Sequence, residues 1–333
     1  MSEVIEECLE NAEIYFPKHL NWSKKNSISR LKWRRRDRKR VSRGVMKRYG
    51  EAFRDFESSL AGCDFVNNSL INAYCDRRDQ DSDQRVPPLL GTDSVGGYHL
   101  RVLLLLGMHA RSIRLGTEIL LLMKEGHPEA AASRARTLYE LTVKMMIICS
   151  DNPDSDWELA ERYYVSAQLE EYSKGELFSD NISGVEAELR DAALARWGKY
   201  FFSGQNNWAA PAVAGGISGK ITFRQMEEAV GAEEIRHIYR EFNHAVHAGA
   251  KSVIESTDFR KTYLNNCRGE VNIKMTGRVG HSVAFFLKIG TMEVSRRLTS
   301  DLEEWDWGLS VIHFLREINK ANKGFSQVYK SKV

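Results

Sequence analysis

A chain of 333 residues, 42% hydrophobic and 28% charged with only 6 prolines, has the make-up of a folded helical protein with a sizeable core, and not of a disordered or fibrous one. Its five cysteines, Cys8, Cys63, Cys75, Cys149 and Cys267, are odd in number and form no CxxC pair, which argues against a disulfide scaffold or a zinc site and for a reducing cytosol. The net charge of +3 is uneven: residues 24–48 hold 13 Lys or Arg against the single acid Asp37, so this segment is +12 and the rest of the chain sums to −9.

In chain order, the opening MSEVIEECLENAEIYF is acidic and amphipathic and does not read as a secretory signal. No apolar run approaches the roughly 20 residues of a membrane span, so the expectation is a soluble, cytoplasmic protein without a membrane partner. Residues 1–75 read as two or three helices, one of them carrying the basic run. Within it, Lys32, Arg34, Arg35, Arg36, Arg38, Lys39, Arg40 and Arg43 are the candidate nucleic-acid contacts, because each phosphate neutralised by a cation releases a counterion. Trp22, Trp33 and Tyr49 flank or interrupt the run and are placed to stack on bases. The competing reading is a solvated basic helix docked on the acidic body of its own or a neighbouring subunit.

Residues 75–97, with Pro87-Pro88 and Gly96-Gly97, are the best domain boundary. They separate a basic N-terminal region (1–95) from a helical body (96–333). A long apolar helix is predicted over 98–124, ending at Gly126, and a second from Pro128, a good first-turn proline, to about Cys149. A third runs to about residue 174 after Asp154 or Ser155, and a fourth over 184–197. The Gly- and Ala-rich stretch 203–220 breaks the periodicity and reads as a cover or partner-contact loop. Helices are then expected at 222–230 and 232–247, a short one at 253–266, an extended piece or small strand at 270–274, and closing helices at 281–298 and 302–320. Trp305 and Trp307 are a candidate packing edge or dimer contact. No internal repeat and no strand–helix alternation occurs, so the fold class is all-α.

The helix near residue 240 carries the arrangement most able to do chemistry. At 100° per residue, Ile235, Ile238, Tyr239, Phe242, Ala245 and Val246 share one face, while His237, Arg240, His244 and His247 share an 80° wedge opposite. A solvated histidine-rich face is the plain reading. A metal site using His244 and His247 lacks any recognisable zinc motif. The third reading is a ribonuclease. An imidazole titrating near neutrality exchanges protons with the ribose 2′-OH or the leaving oxygen, and an always-charged guanidinium stabilises the phosphorane-like transition state. That reaction needs no metal or other cofactor. The spacing from Arg240 to His247 fits the R-x(4–6)-H pattern of HEPN domains, helical bundles that often dimerise and cut RNA.

Two segments extend the resemblance. Residues 108–147, MHARSIRLGTEILLLMKEGHPEAAASRARTLYELTVKMMI, hold a long helix, a glycine-containing turn and an R-x(3)-E motif at Arg136 and Glu140. Residues 239–249, YREFNHAVHAG, hold Tyr239 followed by His247-Ala248. Over about residues 98–255 the chain resembles the bacterial domain-of-unknown-function family 5677, regarded as HEPN-like. The resemblance implies a HEPN-like bundle; the basic helical N-terminal extension and the closing C-terminal helices, read from the sequence pattern, lie outside it. On a largely buried helix, Arg136 and Glu140 at i and i+4 pair locally. They either brace the bundle or reach the Arg240 helix to orient an imidazole or a phosphate. Tyr239 borders the core face and reads as a packing residue with a bonded hydroxyl, and His109 as a satisfied core histidine.

The functional expectation is a metal-independent endoribonuclease of HEPN type, fitting a bacterial toxin or antiphage effector. Its catalytic residues would be His247, Arg240, His244, Arg136 and Glu140. Its partners would be RNA or other nucleic acid, with a second copy of the chain or a ribonucleoprotein also considered. The alternative is a non-catalytic nucleic-acid-binding or protein-interaction module on the same bundle.

Overall fold

The computed structural model describes residues 17–80, 95–151, 158–173, 182–213, 219–246, 273–302 and 308–330, and every regular element among them is a helix. The α-helices are α1 (Pro17–Gln80), α2 (Val95–Lys124), α3 (Pro128–Cys149), α4 (Glu158–Ser173), α5 (Ile182–Trp197), α6 (Phe223–Ala229), α7 (Arg236–Val246), α8 (Ile273–Leu302) and α9 (Gly308–Lys330), with 3-10 turns at Lys199–Ser203, Asn207–Ala212 and Glu233–Ile235. The fold class is all-α, as the sequence implies. No described helix is long and apolar enough to cross a membrane. Of the expected boundary at 75–97, residues 75–80 end α1 and 95–97 begin α2; its middle, 81–94, together with the short helix at 253–266 and Trp305 and Trp307, lies outside the described residues.

The N-terminal region differs from expectation. Among its described residues there is, in place of two or three helices, one, α1, 64 residues long and so roughly 96 Å from end to end. Pro17 occupies its start and no proline follows within it. Its glycines cost about 1 kcal/mol each relative to alanine, and packing of the second half offsets that. From residue 45 onward Val45, Tyr49, Phe53, Phe56, Leu60, Cys63, Val66 and Leu70 recur at helical spacing and are buried. They belong to the same buried cluster as residues of α2, α3, α8 and α9. Before residue 45 no described side chain is buried, and Ser42 Oγ and Arg38 tie this half to the turn after α2, at Lys124 O (2.9 Å) and Glu125 (2.7 Å).

The partner that α1 packs on most extensively is α9. Gly62 lies against Phe314 and Gly324 against Ala52, so the two helices run antiparallel and close together. Phe325 of α9 meets Tyr49, Phe53 and Phe56 at ring-centroid distances of 6.1, 5.7 and 6.1 Å. It also fills the space over Gly280 of α8, where a Cβ would come within 2.6 Å of three ring carbons. α8 begins at Ile273, ahead of the expected 281, and carries Gly280 inside it as the seat of an aromatic ring. Residues 273 and 274, the described end of the expected strand, are the first turn of α8.

α2 and α3 form a helical hairpin. Gly126 takes φ 82°, its N–H bonds Met123 O at 3.0 Å, and His127 N–H bonds Leu122 O at 2.8 Å. This is the Schellman arrangement that ends a helix and reverses the chain. Proline then opens α3 at Pro128. The expected loop 203–220 is a packed element in its described part. Trp208, Ala209 and Ala210 are buried. Asn207 holds the segment together, donating to Tyr200 O (2.6 Å) and Gly219 O (3.0 Å) and accepting from Ile221 N (2.9 Å).

A polar cluster crosses the bundle core. His109 of α2 is 1% exposed; its Nδ1 lies 3.0 Å from Asn67 Oδ1 of α1 and its Nε2 3.0 Å from Thr291 Oγ1 of α8. Both ring nitrogens are satisfied in the neutral form, and burial pushes the imidazole down to about 4. An unfolded histidine takes its proton near pH 6.5 whereas this one resists until about pH 4, so protons favour the unfolded chain between those values. Stability should therefore fall by about 3 kcal/mol from pH 6.5 to pH 4 on account of His109. Urea unfolding across that range checks it: His109→Gln should flatten the slope, and an unchanged slope would refute the assignment.

Candidate functional site

The site is built where α7 crosses α3. The capping box of Thr222 and Gln225 starts α6, and Gly231 ends it at φ 68°. Ala232 N–H bonds Glu227 O at 2.8 Å, and this reversal lays α7 across the polar strip of α3. Phe242 is buried beneath α7, and Arg278 of α8 pairs with Glu241 on its flank.

Two polar networks join α7 to α3. In the first, Arg136 Nε bonds Glu140 Oε1 at 3.1 Å, Arg136 Nη2 donates to Tyr239 Oη at 3.1 Å, and the Tyr239 hydroxyl donates to the same Glu140 oxygen at 2.9 Å. The guanidinium also lies 5.1 Å from the centroid of the Tyr239 ring, a cation–π distance. Burial and the Glu140 charge raise the pKa of Tyr239 against the opposing pull of Arg136, so the phenol stays protonated and acts as a donor. Arg136 thus reaches the Arg240 helix, as one of its two sequence readings requires, and it arrives at Tyr239.

The second network was not legible beforehand. Glu227 of α6 is 1% exposed. It accepts from the Tyr139 hydroxyl at 2.8 Å and pairs with Arg236 of α7 at 2.7 Å. Tyr139 is fully buried, and its ring meets Tyr239 at 5.4 Å and Phe286 of α8 at 5.0 Å. Burial and the hydrogen bond to Glu227 push the Tyr139 pKa well up. The signal in the sequence was a carboxylate on the apolar side of a short helix, at 227 beside Phe223, Met226 and Val230; such a charge needs a buried partner. Arg236→Ala would leave that carboxylate in the core with one hydroxyl donor, so it should lower stability by about 3–5 kcal/mol. Denaturant unfolding measures this. A loss under about 1 kcal/mol would show that the pair does not hold α7, and adding Glu227→Gln should recover part of the deficit.

On the outer face of α7, His237 and Arg240 are exposed, as the periodicity predicts, with His237 Nδ1 3.0 Å from Glu234 O. His244 lies on α7, but its side chain is outside the described residues, and so is His247 altogether. Among the described residues no three His, Cys, Asp or Glu side chains cluster as metal ligands. Burial pushes the thiols of Cys63 and Cys149 up to about 12, which leaves them without thiolate character at neutral pH.

The predicted basic contacts divide. Lys32, Arg35, Arg36, Lys39 and Arg43 are exposed and, at 100° per residue, fall within a sector of about 100° on α1. In the same phase the buried positions 45, 49 and 52 fall about 200° to 260° from Lys32, so the stripe and the buried side are offset, with Arg35 at the edge nearest the buried side. Arg38 and Arg40 are engaged elsewhere, with Glu125 at 2.7 Å and Asp37 at 2.8 Å. The side chain of Arg34 is outside the described residues. Trp33 is 51% exposed on the same half of the helix.

By architecture, then, this is an all-α protein whose central helix pair, α3 and α7, is cross-linked by buried and half-buried polar groups. Residues 102–261, which contain both helices, match the model of a family of unknown function (DUF5677). Comparisons with curated proteins and with solved structures give no significant match.

Proposed function

We propose that this protein acts on RNA, as a metal-independent endoribonuclease on a HEPN-like bundle. The observation that carries the RNA part is the exposed stripe of Lys32, Arg35, Arg36, Lys39 and Arg43 on the half of α1 that precedes the buried seam. Exposed cations that form no ion pair with a described acid, repeating along roughly 16 Å of helix, suit a phosphate backbone, and only Arg43 is tied down, to Lys39 O at 3.1 Å. For the chemistry, Arg240 stabilises charge on the phosphorus centre, and His247, with His244 beside it, exchanges the proton of the 2′-OH or of the leaving oxygen. Arg136 and Glu140 position α7 through Tyr239 and take no part in the proton transfers. A homodimer and a role as a bacterial toxin or antiphage effector fit this activity.

The test is incubation of the full chain with total RNA, with and without EDTA. Cleavage that survives chelation supports the reading; cleavage abolished by chelation, or none at all, overturns it. One observation favours the second reading, a binding module without catalysis. Arg136, Glu140 and Tyr239 satisfy one another in a closed set, as purely structural groups do. That reading predicts RNA binding through α1 with no cleavage under either condition.

A further inference from the structure

A cleft of about 430 Å³ opens between α2, α3 and α4. One wall is a single face of α2, with Leu104, Gly107, Met108 and Arg111 at i, i+3, i+4 and i+7; the other is the matching face of α3, with Thr137, Glu140, Leu141 and Lys144. Tyr163 of α4 borders it, its ring braced edge-on against Trp208 at 4.8 Å. Met108 and Leu141 are buried and give the cleft an apolar floor. A Cβ on Gly107 would meet nothing within 4 Å, so this wall is open at its centre.

The charge in the cleft is positive. Glu140 is already matched by Arg136 at 3.1 Å, whereas Arg111 and Lys144 form no ion pair with any described acid. The space is of small-ligand size and combines an apolar floor, an aromatic edge and two cations without an ion pair among the described residues. We propose that it binds a mononucleotide unit, with the base on Leu104, Met108, Leu141 and Tyr163 and the phosphate on Arg111 and Lys144. This rests on the reading that the protein handles RNA, for which the cleft would take one unstacked nucleotide of the strand. Glu140 would then belong both to the brace on α7 and to the ligand cleft.

Calorimetric titration of the full chain with adenosine 5′-monophosphate, adenosine and inorganic phosphate tests the proposal without any turnover. The nucleotide should bind, and adenosine and phosphate should each bind at least tenfold more weakly. Arg111→Ala and Lys144→Ala should each weaken the nucleotide about tenfold, as loss of a charge-assisted contact does. Gly107→Leu should remove binding by filling the cleft while leaving the melting temperature unchanged or higher, since leucine favours a helix more than glycine does. No nucleotide binding by wild type, binding that survives Gly107→Leu, or phosphate alone binding as tightly as the nucleotide would each overturn it. Failure here is distinguishable from failure of the RNA reading, because RNA binding through α1 is measured separately and persists in Gly107→Leu.

Discussion

His247→Ala should lower RNA cleavage by about 10²–10⁴-fold, the usual worth of a positioned general acid or base, with helical content unchanged. Arg240→Ala should lose about 10²–10³-fold, as removal of one transition-state electrostatic contact does. Arg240 is the sharper probe. It is exposed on α7, the packing of that helix being carried by Phe242, Tyr239 and Arg236, so its replacement should change stability by no more than about 0.5 kcal/mol. A lost activity is then chemistry and not unfolding. Arg240→Lys separates the two parts of the role, since lysine keeps the charge but not the planar fork. Total-RNA digestion and circular dichroism on the same samples give the readout, and full cleavage by His247→Ala would end the catalytic assignment.

The second large effect concerns affinity. Replacing Lys32, Arg35, Arg36 and Lys39 together by glutamine should weaken single-stranded RNA binding roughly 600-fold at 0.1 M salt, because each single-strand phosphate contact contributes about 0.7 decades there. The plot of log affinity against log salt should flatten by about 2.8 at the same time. Arg38 and Arg40 are the internal comparison. They lie on the same stretch but are paired with Glu125 and Asp37, so replacing them should change affinity far less. Equal losses from both sets would mean that bulk charge, not the stripe, holds the RNA. Because the four residues are exposed and lie outside the buried cluster, the melting temperature should stay within a few degrees of wild type.

Much of this architecture was legible from punctuation and periodicity. Pro128, Gly126 and the apolar spacing placed α3 at its observed bounds. The i, i+4 spacing of Arg136 and Glu140 anticipated their pairing, and the marginal position of Tyr239 anticipated a bonded hydroxyl. What escaped was decided by contacts between distant segments. The start of α8 at Ile273, ahead of the expected 281, escaped because the ring that packs over Gly280, Phe325, is 45 residues further on. The continuity of α1 was hidden because polar composition in its first half masks the seam that its second half buries. The cluster around Asn207 and Trp208 resembled a loop, since its order comes from side-chain bonds to backbone and not from periodicity. Glu227 and Arg236 form one unit only after Gly231 has reversed the chain.

The single long helix α1 has an evolutionary corollary. Basic stripe and buried seam are written on one rod, so their relative orientation is a matter of helical phase. One residue inserted near Gly44 would turn the stripe by about 100° relative to the body, without disturbing a single contact in the core. Seven inserted residues would restore the aim to within about 20° while carrying the stripe about 10 Å further out. Relatives that keep the same target should therefore differ in arm length by whole heptads, or by changes that slide the basic residues along the rod to recover the lost angle.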